Sequence, residues 1–224
     1  MKKAIAILLS LTMILGLAAC GNSASQTEQP STEDTSVESK ADTNSAENST
    51  DMENTENQDV QDHKVLVAYF SATGTTKGVA EHIANGLNAD IYEIVPEDPY
   101  TDADLNYNDN NSRTTIEMND PNARPAISGS VENMEQYDII FAGYPIWWGE
   151  APRIVSTFME SYDFSGKTIV PFCTSGGSGI SSSASNLERL TSGATWLDGR
   201  RLNGSDSQDT VMEWVNSLDL NLAE

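Results

Sequence analysis

Val65-Leu66-Val67-Ala68-Tyr69-Phe70-Ser71-Ala72-Thr73-Gly74-Thr75-Thr76-Lys77-Gly78-Val79-Ala80 is the stretch whose reading decides the fold. Its first six residues are apolar without the alternation of a half-wet strand, which suits a strand buried on both faces of a parallel sheet. After Phe70 the composition turns at once to hydroxyls and glycine, from Ser71 through Thr76. The period then changes: Val79, Ile83 and Leu87 fall four apart, flanked by Ala80 and Ala84, as on the apolar stripe of a helix. The segment therefore reads strand, hydroxyl-rich turn, helix. A helix start presents free amide N–H groups and the positive end of the macrodipole, and small hydroxyl side chains add donors without crowding an anion. One hydroxyl would suffice to cap the helix, whereas Ser71, Thr73, Thr75 and Thr76 supply four in six positions. The turn is read as a phosphate site.

Working downstream, Asp90 to Val95 alternates weakly and reads as an edge strand. The polar, asparagine-rich stretch that follows predicts one helix within 102 to 118, with Leu105, Ile116 and Met118 as anchors. Ile139 to Ala142 is a second buried run, emptying through Gly143 into Tyr144-Pro145-Ile146-Trp147-Trp148-Gly149, a loop rich in aromatic surface. Pro152 then reads as the first-turn proline of a helix carrying Ile154, Val155, Phe158 and Met159. Thr168 to Cys173 is a third run, ending in the small-residue loop Thr174-Ser175-Gly176-Gly177-Ser178-Gly179. Pro171 removes a ladder donor from what reads as an internal strand, and a bulge would resolve the conflict. A helix with Leu187 and Leu190, a short strand near Thr195 to Leu197, and a last helix with Val211, Met212, Val215 and Leu218 complete the chain.

Strand and helix alternate throughout, so right-handed crossovers make a parallel sheet with both faces covered. Ligands of such sheets sit beyond the carboxyl ends of the strands, where the strand order reverses. The loops at 71–76, 144–149 and 174–179 all follow strands and share that rim. One offers phosphate donors, one offers indoles for stacking on a planar ring, and one offers backbone that a ligand can approach closely.

Upstream, the 224-residue chain opens with Lys2 and Lys3 before the apolar run Ala4 to Ala19, the charged start and hydrophobic middle of an export signal over residues 1–19. The run ends Leu17-Ala18-Ala19-Cys20, which resembles the lipobox of bacterial lipoproteins. That resemblance implies acylation of Cys20 as the mature N-terminus and attachment to a membrane, outside the cytoplasm. Residues 20–62 are then expected to be a disordered acidic tether. From 21 onward this stretch has no aromatic residue, and eleven acidic residues stand against the single Lys40. Even as a neutral coil such a segment would reach about 35 Å, and its charge extends it further.

Residues 63–224 form the remaining domain, with 23 acidic and 9 basic side chains and a net charge of −14. That sign disfavours nucleic acid as a partner. With Cys20 acylated only Cys173 remains, so no intrachain disulfide is expected, and two histidines without a Cys or His cluster argue against zinc. Ser165-Gly166-Lys167-Thr168 falls short of a nucleotide P-loop, because Ser161 occupies the earlier glycine position and a strand rather than a helix follows.

Taken together, these loops look like those of the flavodoxin family, in its short branch. Ser71-Ala72-Thr73-Gly74-Thr75-Thr76 is similar to the family's phosphate loop, and 144–149 with Ala151-Pro152, and 172–179, resemble its two ring-flanking loops. The resemblance spans roughly 64–220. It implies a three-layer α/β sandwich around a five-stranded parallel sheet in order 2-1-3-4-5, with FMN held without a covalent bond. By carry-over, Ser71, Ala72, Thr73, Gly74, Thr75 and Thr76 would hold the phosphate. Pro145, Ile146, Trp147, Trp148 and Gly149 would flank the ring, with one of the two tryptophans stacked on it. Thr174, Ser175, Gly176, Gly177 and Gly179 would meet its pyrimidine edge through backbone groups. The departure from the family pattern is that 174–179 contains no aromatic residue, which leaves one ring face open to a quinone, a nicotinamide or a protein partner. The implied role is electron transfer by a membrane-tethered carrier. The alternatives are an NAD(P)H- or quinone-dependent FMN oxidoreductase and a binding module that has lost the cofactor.

Overall fold

The computed structural model describes residues 63–220, and the export signal (1–19), Cys20 and the acidic tether (20–62) lie outside the described residues. His63 and Lys64 lead directly into β1 (Val65–Tyr69), all five residues of which are buried. Next come α1 (Thr75–Leu87), β2 (Asp90–Glu93), β3 (Val95–Pro96), α2 (Arg113–Asn119) and β4 (Ile127–Ser128). The second half holds β5 (Ile139–Pro145), α3 (Arg153–Glu160), β6 (Thr168–Thr174), α4 (Ser181–Glu188), β7 (Thr195–Trp196), β8 (Arg200–Leu202) and α5 (Gln208–Asn216).

The main sheet runs β2-β1-β5-β6, with β7 and β8 both pairing the far side of β6, every pair parallel. This is the expected order 2-1-3-4-5, except that the fifth strand is in two pieces. Alternation along β1 divides the core. Val65, Val67 and Tyr69 face α1 and α5 through Val79, Ile83, Val211, Trp214 and Val215. Leu66, Ala68 and Phe70 share the opposite cluster with Met118 of α2, Ile154, Val155 and Phe158 of α3 and Leu187 of α4. Burial on both sides is why these strands read as unbroken apolar runs.

Pro171 explains the split. Ile169 pairs with Trp196 and Phe172 with Arg200, so three steps along β6 are matched by four along the edge. The bulge expected in β6 therefore lies in the edge strand opposite it. The Pro171 carbonyl points at Gly199, where a Cβ would strike it, and the proline's missing donor faces the same side. The sheet loses no ladder bond on its β5 side.

Three further readings need correction, and one is placed more closely. The edge strand ends at Glu93, and Val95–Pro96 instead pairs antiparallel with Ile127–Ser128. The helix expected within 102–118 is α2, which starts at Arg113, where the Ser112 side chain accepts from the Thr115 N–H. Before it the chain makes turns, because the Thr114 and Thr115 hydroxyls donate to the carbonyls of Asp104 and Asp109. Pro152 sits at the N-cap of α3 rather than in its first turn, and Leu190 and Leu218 lie beyond the ends of α4 and α5.

Gly143 sits between Tyr69 and Phe172 in the sheet centre, and a Cβ there would fall on the fully buried Phe172 ring. Gly143→Ala is expected to cost about 1–3 kcal/mol by overpacking, read as a lower urea midpoint with an unchanged slope.

Candidate functional site

The turns after β1, β5 and β6 meet at one rim around a cavity of about 330 Å³, at the lower end of the range for small-molecule and cofactor sites. The first turn contributes Ser71, Ala72, Thr73, Thr75 and Thr76; the second, Pro145, Ile146 and Trp147; the third, Thr174, Ser175 and Gly176. No charged side chain is among the lining residues.

At the first turn, α1 starts from Gly74 in the left-handed region (φ 84°) with no side-chain cap. The hydroxyls around it are therefore not spent on capping, and the first-turn amides have no partner within the helix. The Thr76 and Thr174 hydroxyls, both buried, lie 2.8 Å apart and fasten the first turn to the third. One of them donates, leaving the other's proton for a further acceptor. Thr73 and Thr75, 3.4 Å apart, are exposed. Lys77 reaches away to Glu93 at 3.3 Å, and the Glu93 carboxylate also accepts from the Tyr69 hydroxyl at 2.9 Å. Burial, reinforced by that carboxylate, pushes the Tyr69 phenol well above its ordinary range.

The second turn is a tight hairpin. Trp147 and Glu150 exchange two backbone hydrogen bonds of 2.9 Å, and the central residues Trp148 (φ 49°) and Gly149 (φ 82°) are both left-handed, as in a type I′ turn. Glycine takes this geometry freely, whereas for a bulky tryptophan it is an outlier. The loop is pinned to α4, since the Glu150 carboxylate accepts from the Ser182 hydroxyl at 2.8 Å and the Asn186 amide at 2.6 Å. The two indoles consequently differ. Trp147 is buried, edge-on to Phe70 and Tyr100 at 5.5 and 5.3 Å, and lines the cavity. Trp148 is exposed at the hairpin tip and lies against Tyr107 at 4.9 Å.

Five expected site residues lie outside the lining: Gly74, Trp148, Gly149, Gly177 and Gly179. Gly74 and Gly149 are turn pivots. The third loop folds on itself, with the Gly177 and Ser178 amides donating to the Ser175 hydroxyl at 3.2 and 2.9 Å. Four lining residues were not anticipated, namely Leu105, Tyr107, Asn203 and Gly204. Tyr107, the one aromatic in the polar stretch 101–112, was a legible signal. Gly204 packs so closely on Thr75 that a Cβ would strike its methyl, which no local pattern reveals. Behind the cavity floor Cys173 is fully buried, and desolvation pushes its thiol up to about 12, with Arg201 opposing weakly.

The family model described as Flavodoxin matches residues 64–218. Among solved structures, a candidate flavoprotein from Bacteroides eggerthii DSM 20697 is 47% identical, covering 70% of this chain and 98% of its own, with a TM-score of 0.66. A second from Bacteroides uniformis ATCC 8492 is also 47% identical over 69% of this chain and 98% of its own, at 0.66. A Lactobacillus acidophilus NCFM flavoprotein in complex with FMN, 23% identical over 68% of this chain and 99% of its own, shares the fold at 0.53. No curated protein matches the sequence.

Thr76→Val leaves the buried Thr174 hydroxyl without its partner, and a loss of about 1–3 kcal/mol is expected in thermal or urea unfolding, partly recovered in Thr76→Val/Thr174→Val. Cys173 is expected to resist thiol reagents in the native protein at mildly alkaline pH, read by peptide mapping. Its folded pKa being raised, the stability it contributes is intact below the thiol's ordinary 9.0 and is lost as pH climbs toward about 12.

Proposed function

The chain belongs to the flavodoxin family, and from that premise we propose that it binds FMN in the cavity at the carboxyl ends of its strands and acts as an electron carrier. We place it on a lipid anchor at Cys20, facing outward from the cytoplasmic membrane. The observation that carries the reading is the uncapped start of α1: the helix springs from left-handed Gly74 with no side-chain cap, and the Ser71, Thr73 and Thr75 side chains line the same cavity as a buried indole. A phosphate suits one end and a planar, largely apolar ring the other.

When bound, FMN supplies the redox chemistry, and the protein supplies binding, burial and electrostatics. Ser71, Thr73, Thr75 and the amides beside Gly74 would hold the phosphate without a compensating cation, since Lys77 is paired with Glu93. Pro145, Ile146 and Trp147 would bear on the ring, and Thr174, Ser175 and Gly176 on its polar edge. A neutral cavity inside a domain of net charge −14 resists the arrival of further negative charge, which favours a low potential. A partner surface or a small quinone or nicotinamide would exchange electrons at the rim.

The second reading, an NAD(P)H- or quinone-dependent FMN oxidoreductase, is favoured by the third loop, which has no aromatic residue to cover the ring. Mixing holoprotein with NADPH and a quinone separates the two: sustained turnover supports the enzyme, and none supports the carrier.

Apoprotein titrated with FMN is expected to turn yellow and saturate at one cofactor per chain. Thr73→Asp, which sets a carboxylate beside the start of α1, is expected to weaken FMN at least about tenfold while sparing riboflavin, which lacks the phosphate. Equal losses for both flavins would argue against a phosphate site there.

A further inference from the structure

We propose that Tyr107 supplies an aromatic contact to the flavin ring from outside the three turns, and that Trp148 is a positioning residue standing behind it. The inference rests on the FMN reading of the cavity and goes beyond it by assigning a contact to a segment outside the three turns.

Tyr107 lines the cavity together with Leu105, although both come from the polar stretch that precedes α2. That stretch is built rather than loose. Thr101 ties to Asp104 through its amide at 2.9 Å and its hydroxyl at 2.7 Å, and the Leu105 amide donates to the Thr101 carbonyl at 3.1 Å. The buried Thr114 and Thr115 hydroxyls hold the carbonyls of Asp104 and Asp109 from beneath. Tyr107 is thereby presented from a fixed support on each side, the condition for placing a ring against a ligand at low entropic cost.

Trp148 does not line the cavity, yet its indole meets the Tyr107 ring at 4.9 Å and 43°. The indole is held there against its backbone preference, at φ 49°, by the paired bonds of Trp147 with Glu150 and by the grip of Ser182 and Asn186 on the Glu150 carboxylate. Strain of this kind persists where the surroundings over-determine it, and it gathers at ligand sites. Tyr107 and Trp148 are nonetheless 57% and 43% exposed. Two large rings kept in water by a strained turn and a pinned loop imply a flat partner that covers them, and the ring beside the cavity is the tyrosine.

The test titrates the apoprotein with FMN, following flavin fluorescence, and records visible absorption and circular dichroism at saturation. Failure of the wild-type chain to bind FMN overturns the cavity's assignment and this inference together. If it binds, Tyr107→Ala is expected to weaken FMN about tenfold and to alter the visible flavin spectra, with Tyr107→Phe close to wild type. Wild-type affinity and unchanged spectra in Tyr107→Ala would overturn the proposal while leaving the FMN site intact. Trp148→Ala is expected to lose less, and the double variant no more than Tyr107→Ala alone, as for residues acting through one contact. Additive losses would overturn the positioning role and put Trp148 on the flavin itself.

Discussion

Parallel pairing is the constraint from which the rest follows. Because β1, β5 and β6 all run the same way, the turns after them have one rim to occupy, and residues far apart in sequence are brought into a single cavity. The buried hydroxyl pair of Thr76 and Thr174 closes that rim, joining positions 98 apart at 2.8 Å. Close packing beneath it leaves little freedom, since Gly143 has no room for a methyl group beside Phe172. The rim is thus held by the chain's own contacts, and a rim so fixed lowers the ordering cost of binding a ligand.

How much of this was legible depended on whether the cause was local. The change of period at Ser71 announced β1, its turn and α1, and the apolar runs ending at Gly143 and Cys173 announced β5 and β6. Local pattern failed where distant groups decide. The stretch before Arg113 makes turns rather than helix because the hydroxyls of Thr114 and Thr115 capture carbonyls ten and six residues back. The two-residue pairing of Val95–Pro96 with Ile127–Ser128 is too short to leave a periodic trace. Pro171 signalled an irregularity correctly, but its resolution lies on the neighbouring strand, at Gly199.

The site shows the same division. Eleven of the sixteen expected residues line the cavity, because a strand's end fixes where the following turn must go. The rest of the lining comes from segments with no strand of comparable strength before them. Asn203 and Gly204 follow the three-residue β8, and Leu105 and Tyr107 follow a run of turns. The two adjacent tryptophans could not be told apart in sequence. A left-handed turn separates them, sending one into the core and one to the surface.

The place of His63, just ahead of β1, has a consequence for the two ends of the sheet. β1 carries the chain from that residue to the rim in five residues, about 17 Å of extended backbone. His63 therefore stands at the end of the sheet away from the cavity, whose rim lies past Tyr69. A change at His63 and a molecule visiting the cavity thus act at opposite ends of one strand, so altering the first need not disturb the second.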